Sequence, residues 1–255
     1  MILILDIGNS TVTLGAFRKE KLLARYSFPT SDLKGRLDIR RTLRTCFSHW
    51  KTTTDAIQGC VISSVVPGVT RLYHQDLLKN VTGRVLVING AMKMGVKLKY
   101  RDPRTLGADR ICNIVAAHEI YGGPAIIVDL GTATTYDVVS RAGVYLGGAI
   151  APGIATSINA LATRTALLPR VVPTFPRDVI GRTTISGIQS GVLYGAVDAL
   201  EGMISRMKRT TGQQTKVIAT GGFSSLISKQ TNVIDIIDPA LVLQGAYRIY
   251  QRVVT

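Results

Sequence analysis

Two places along the chain carry the same pattern: a continuous apolar run, then Asp-x-Gly, then small hydroxyl residues. The first is Ile2-Leu3-Ile4-Leu5-Asp6-Ile7-Gly8-Asn9-Ser10-Thr11, and the second is Ile126-Ile127-Val128-Asp129-Leu130-Gly131-Thr132-Ala133-Thr134-Thr135. An apolar run of this length, closed by a turn and without polar alternation, reads as a strand buried on both faces. Such a strand ends in a loop. There the Gly permits a tight turn and close approach by a ligand, the following amides and hydroxyls suit phosphate oxygens, and the Asp suits a cation or its water shell. A third run, Val217-Ile218-Ala219-Thr220-Gly221-Gly222, again leads a strand into a Gly pair.

Between these runs the pattern predicts a meander of strands at 2–6, 11–17 and 22–28 with a turn at Arg18-Lys19-Glu20. A helix capped by Thr30 or Ser31 should run to about Trp50, followed by a strand at 57–66, a Pro67-Gly68 turn, a helix at 69–81 and a strand at 85–88. Ile111, Ile114, Val115 and His118 have helical spacing, with Asp102 and Pro103 placed to open that helix. Strands follow at 134–139 and 145–150. Helices are expected from Pro152-Gly153 to about Ala166, from Ile180-Gly181-Arg182-Thr183-Thr184 through Met207, and from Pro239 to Arg252. The Gly147-Gly148 pair reads as room for a close neighbour, with a backbone favoured over a ligand. Three antiparallel strands followed by alternating helix and strand make an α/β layout, and the second half repeats it.

Composition narrows the class. The 255 residues are 46% hydrophobic and 18% charged, enough for a large core in one big or two smaller domains. No apolar run approaches the roughly 18 to 20 residues of a membrane span, and Met1 leads straight into the Asp6 loop without a basic leader, so a cytoplasmic location and no membrane partner are expected. Cys46, Cys60 and Cys112 have no metal-ligand spacing, and His49, His74 and His118 form no cluster with them, which favours structural roles. The net charge of +15 suits nucleic acid, acidic membrane or phosphorylated metabolites. No zinc-finger, basic-zipper or RNA-binding motif accompanies it, so no sequence-specific nucleic-acid partner is expected. The densest basic segment, Lys34 to Arg44, sets Arg36, Arg40 and Arg44 at i, i+4 and reads as a solvated helix face.

The candidate chemistry lies in the two loops and in Gly107-Ala108-Asp109-Arg110. On spacing alone Asp109 and Arg110 make a polar helix face; their position just before the second loop favours a carboxylate placed to meet an acceptor hydroxyl. The paired loops resemble those of the actin and acetate/sugar kinase superfamily. Taken with Asp6-Ile7-Gly8-Asn9-Ser10, Gly107 to Arg110, Asp129 to Asp137, Gly147 to Gly153, Ile180 to Thr184, Gln189-Ser190-Gly191 and Ala219 to Gly222, the chain resembles the type III pantothenate kinases along essentially its whole length.

That resemblance implies two similar actin-like (ribonuclease H-like) domains, 1–115 and 116–255, each a mixed sheet flanked by helices, with a nucleotide cleft between them. It implies ATP-dependent phosphorylation of pantothenate to 4′-phosphopantothenate, the first step of coenzyme A synthesis, by a cytoplasmic homodimer. Asp6, Ile7, Gly8, Asn9, Ser10, Thr11, Val12, Thr13 and Thr132 would bind ATP, with Mg2+ accompanying it. Asp129 would hold a monovalent cation, potassium or ammonium. Tyr100, Gly107, Ala108, Asp109, Arg110 and Thr184 would bind pantothenate, with Asp109 as proton acceptor and Thr184 acting on the partner's substrate. The chain departs from the family at Arg101-Asp102, where an acidic residue and Asn are usual. A regulator resembling the Bvg accessory factors, on the same fold, is the alternative.

Overall fold

The computed structural model describes residues 1–33 and 35–254; Lys34, at the head of the basic segment, lies outside them. The first apolar run is β1 (Ile2–Ile7), which hairpins into antiparallel β2 (Thr11–Arg18) and β3 (Lys21–Pro29). On the other side of β1 lie parallel β4 (Gly59–Ser64) and β5 (Arg84–Val87), giving the order β3-β2-β1-β4-β5. A two-residue strand, β6 (Lys97–Leu98), follows. The second apolar run is β7 (Ala125–Leu130), which hairpins into antiparallel β8 (Ala133–Val139) and β9 (Val144–Pro152). Parallel β10 (Lys216–Thr220) and β11 (Ile236–Ile237) flank β7 on its other side, so these strands run β11-β10-β7-β8-β9. Counted outward from the Asp-bearing strand, both halves have one topology, an antiparallel pair on one side and a parallel pair on the other.

The alternation of side chains across a strand assigns the faces. In the first half Leu3, Leu5 and Ile7 pack with Ile39, Leu43 and Phe47 of α1 (Arg36–His49) and with Val69, Tyr73 and Leu77 of α2 (Pro67–Asn80). Asp6 therefore points to the opposite face, where α3 (Ala108–Ala116) packs. In the second half Ile126, Val128 and Leu130 pack with Ile158 of α4 (Ile154–Arg164) and Leu193, Val197 and Leu200 of α5 (Thr184–Thr211), leaving Asp129 on the other face. A short helix, α6 (Ser224–Ile227), and α7 (Leu241–Val254) complete the chain.

The local chemistry redraws several expected boundaries. Thr30 and Ser31 do not cap α1: residues Thr30–Asp32 form a 3-10 turn, and the buried Thr30 hydroxyl donates to the Gly8 carbonyl at 2.7 Å. The cap is Gly35, whose N–H donates to Asp38 Oδ2 at 3.0 Å. Pro67 is no separate turn but the first residue of α2, where its missing N–H costs nothing. Asp102 does accept from a backbone N–H, that of Arg104, but it caps a 3-10 turn at Pro103–Thr105; α3 starts after Gly107. Gly147 answers a backbone demand rather than a neighbour: its φ is +114°, it sits at an irregularity in the β8/β9 register, and a Cβ there would meet open space.

Two compact units result, one of residues 1–121 with 240–255 and one of residues 122–239. The 115/116 boundary drawn from the sequence falls within α3, and α7 packs with the first unit. Glycines let it do so. Leu243 of α7 lies over Gly15, Tyr250 over Gly59, and Gly245 brings the α7 backbone against α3, where a Cβ would stand 1.9 Å from the Cys112 carbonyl oxygen. That oxygen is backbone and cannot swing aside. Gly245→Ala should therefore destabilise the first unit by on the order of 3 kcal/mol, the upper range for overpacking. Chemical denaturation of the variant beside wild type measures it, and an unchanged midpoint would show that the two helices separate at little cost.

Candidate functional site

In the first unit the loop is built by the hairpin itself. Asp6 and Ile7 end β1, Gly8 to Ser10 make the turn, and Thr11, Val12 and Thr13 begin β2. The Gly8 N–H donates to the Thr11 carbonyl at 2.9 Å, and the Thr30 N–H donates to the Ser10 carbonyl at 3.0 Å, so the turn is pinned on both sides. Ile7 and Val12 are buried in the core and offer the loop only their backbones, whereas Asn9, Ser10 and Thr11 are exposed. The Asp6 carboxylate accepts from the Ser63 hydroxyl at 3.2 Å, and Ser63 is its register partner on β4.

The same face carries the start of α3. Gly107 is the N-cap, and Ala108, Asp109 and Arg110 form the first turn, where a carboxylate is favoured by the helix dipole. A Cβ on Gly107 would stand 2.5 Å from Asp109 Oδ1, so the glycine makes room for that carboxylate. Asp109 accepts from the Arg110 N–H at 2.8 Å. Burial pushes the Asp109 carboxyl above its usual range, outweighing the Arg110 N–H and guanidinium that act the other way. Arg110 does act to keep Asp109 ionised, but desolvation is the larger effect. Fully buried Cys112, one turn further along α3, ties the parts together. Its thiol feels the charges of both Asp6 and Asp109 and hydrogen-bonds the Ser63 side chain, and with burial leading these effects its pKa lies well above the ordinary value. Asp6, Ser63, Cys112 and Asp109 are therefore one cluster at the C-terminal ends of parallel strands β1 and β4, the end of an open α/β sheet where ligands bind.

Tyr100 lies partly exposed on the segment leading to Pro103. At the two departing positions, the Arg104 guanidinium holds Asp102 at 3.0 Å and keeps its carboxyl below the usual range. Asp102 is thereby turned inward on its own loop, with Thr105 Oγ1 donating to its carbonyl at 2.8 Å.

The second unit repeats the device. Asp129 ends β7 between two hydroxyl residues in register, Thr135 on β8 and Thr220 on β10. A Cβ at Gly221, whose φ is +88°, would lie 2.5 Å from Asp129 Oδ1, and one at Gly131 would lie 3.2 Å away, so the two glycines make room for this carboxylate. The Thr135 hydroxyl is buried without a hydrogen-bond partner. Thr132 is exposed at the turn, its carbonyl held by the Gly153 N–H at 3.2 Å and the Thr156 hydroxyl at 2.6 Å. Thr184 is the exposed first residue of α5, set by a reciprocal cap between Thr183 and Ser186. Among the described residues no group of three His, Cys, Asp or Glu is placed to hold a metal ion, and no helix is long and apolar enough to cross a membrane.

Sequence reasoning missed Ser63, Thr30 and Thr135. Ser63 had a signal: a Ser pair closing the apolar run at 59–62, as the hydroxyl residues close the runs at Asp6 and Asp129. Thr30 had none, since only the fold returns it to the first loop.

A model of the type III pantothenate kinase family matches residues 2–206. Among solved structures the chain is similar to a Campylobacter jejuni protein described as a Baf family transcriptional activator, at 22% identity over 98% of each chain with a TM-score of 0.62. It is similar to a Sinorhizobium meliloti protein described as a 2-dehydro-3-deoxygalactonokinase, at 12% identity over 99% of each chain and a TM-score of 0.60. It also resembles component A of the (R)-2-hydroxyglutaryl-CoA dehydratase of Acidaminococcus fermentans, at 12% identity over 100% of this chain and 99% of that chain, TM-score 0.55. At these identities the likeness is one of fold, the actin-like fold of sugar and acetate kinases.

The raised pKa of Asp109 fixes a sign for stability. A carboxyl that binds its proton more tightly folded than unfolded stabilises the protein at acid pH and loses that contribution as pH climbs past its unfolded value near 3.9. Asp109→Asn, which keeps the shape without the buried charge, should then melt at or above the wild-type temperature at pH 7, the difference fading toward pH 4. Thermal melts across that range check it; a variant markedly less stable at pH 7 would mean that Arg110 outweighs burial.

Proposed function

The chain belongs to the type III pantothenate kinase family, and we propose that it transfers the γ-phosphoryl group of ATP to the hydroxyl of pantothenate, giving 4′-phosphopantothenate and ADP at the entry to coenzyme A synthesis. The observation that carries this reading is the cluster of Asp6 and Asp109 around Cys112, which sets a second carboxylate beside the first phosphate loop. Asp109 acts as the base. It takes the proton of the pantothenate hydroxyl as that oxygen bonds to the γ-phosphorus and the bond to the bridging β–γ oxygen breaks, leaving ADP. A carboxyl raised by burial is better matched to an alcohol proton near neutral pH than an ordinary one. Gly107 keeps the carboxylate unobstructed, and Tyr100 and Arg110 orient the substrate.

The loop from Asp6 to Thr13 and the Thr132 turn serve the ATP phosphates, through exposed N–H and hydroxyl groups at Asn9, Ser10, Thr11 and Thr132. Magnesium bound with ATP would supply neutralisation of the phosphate charge in such a transfer. The second loop would suit the monovalent ion: the Asp129 carboxylate, kept clear by Gly131 and Gly221, and the orphaned Thr135 hydroxyl are hard oxygen donors. The protein works as a cytoplasmic homodimer, with Thr184 reaching the partner's substrate. In support, the segment leading to Thr184 exposes Leu167 at 89%, Val172 at 72% and Ile180 at 79%, an apolar stretch that a second copy would cover.

The test is a substrate panel with ATP: pantothenate, sugars and acetate. Pantothenate should be phosphorylated, and Asp109→Asn should lower turnover on the order of 10²-fold or more while ATP calorimetry is unchanged. A folded wild type inert toward pantothenate would favour the regulator reading, and a variant of near-native turnover would remove Asp109 from the chemistry. In the same assay Asp129→Asn should weaken activation by potassium or ammonium at fixed ionic strength more than it changes KM for pantothenate. An active variant with the wild-type cation dependence would refute the role of Asp129.

A further inference from the structure

The first unit holds a cavity of about 440 Å³ along α7, lined from that helix by Gln244, Tyr247, Arg248, Gln251 and Arg252, within the usual size of a small-molecule site. Its position separates it from the phosphate loop. It is lined by Phe17, the register partner of Ile2, whereas Asp6 pairs with Thr13; the two sites lie at opposite ends of the β1/β2 hairpin, roughly 13 Å apart at 3.3 Å per residue.

The lining is charge-balanced. Arg248 and Arg252, one turn apart on α7, both bind Glu119, at 3.3 and 2.8 Å, and Glu20 shares the lining, near enough to Tyr247 for its charge to act there. Glu119 is offered by a single π-helical turn, Ala117–Tyr121, that continues α3 directly; such turns recur at functional sites. Tyr247 stacks on Phe17 with ring centroids 4.7 Å apart, making a rigid floor. Burial, and then Glu20, raise the Tyr247 pKa while Arg248 opposes them, so its hydroxyl stands in the field of both charges. Gln251, on the same helix face, adds a carboxamide that both donates and accepts.

Two guanidiniums against two carboxylates give a bare anion or a bare cation no net attraction. A molecule with a negative end and a positive end meets a complementary charge for each in this one lining. We propose that this cavity binds a small zwitterion of the ω-amino acid or short-peptide class, its carboxylate on Arg248 and Arg252 and its ammonium on Glu20. The site stands apart from the kinase reading.

Calorimetry on the intact protein tests this with a graded set of probes: γ-aminobutyrate and ε-aminocaproate against caproate and hexylamine, which carry one charge each. A zwitterion should bind and the singly charged probes should not. Glu20→Gln, a change on an exposed turn that leaves the fold alone, should weaken binding about tenfold, as expected for one charged hydrogen bond. Binding should persist in saturating ATP. Equal binding of caproate, an unaffected Glu20→Gln, competition with ATP, or no heat from any zwitterion at millimolar concentration would each overturn the proposal, whatever the substrate panel shows.

Discussion

A carboxylate at the end of a strand buried on both faces is costly unless its neighbours solvate it, and that constraint organises both units. Asp6 and Asp129 each leave the core at the last turn of a fully apolar strand, flanked in register by hydroxyl residues, Thr13 and Ser63 in one case and Thr135 and Thr220 in the other. The antiparallel hairpin supplies one hydroxyl and the parallel strand supplies the other. Either sheet arrangement alone would leave one side of the carboxylate against apolar surface. The mixed sheet is therefore part of the site's electrostatics as well as its scaffold.

The two units use the same device with different closures. In the first, the parallel-strand hydroxyl is committed, with Ser63 bonded to Asp6 and to a thiol that burial keeps protonated. In the second, the hairpin hydroxyl of Thr135 is left without a protein partner beside a carboxylate for which Gly131 and Gly221 leave room. One loop is thus satisfied internally, and the other keeps a buried hydroxyl without a protein partner. Charge is divided unequally as well: the first unit carries 21 Lys and Arg against 9 Asp and Glu, net +12, and the second 10 against 7, net +3. The strongly basic balance of the chain belongs to the unit that bears Asp6 and Asp109.

Strand identities and the repeat were legible because an unbroken apolar run followed by Asp-x-Gly has few other readings; β1, β2, β7 and β8 lie within a residue or so of their expected limits. The Asp109 segment was legible as a motif, but its electrostatics were not. Adjacent Asp and Arg suggest an ion pair on paper, while the burial that dominates comes from packing that only the fold supplies. Helix starts near Thr30 and Asp102 were misplaced for one reason: a residue with good capping chemistry was used by a loop instead. The register that brings Ser63 to Asp6, and the glycine contacts that carry α7 to α3, depend on residues far apart in the chain and leave no local trace.

The discontinuity of the first unit has a consequence for how the polypeptide matures. Residues 122–239 form a contiguous unit, whereas the first unit is completed only by α7, which is made after all of them. As the chain emerges from the ribosome, β1 to α3 must wait with the α7-facing surfaces of Gly15, Gly59 and Cys112 uncovered until the second unit has been synthesised. The later half is thus free to fold first, and the earlier half depends on its final helix, an order opposite to vectorial domain-by-domain folding. A nascent chain stalled before Leu241 would present an open apolar groove, the kind of surface that holding chaperones recognise.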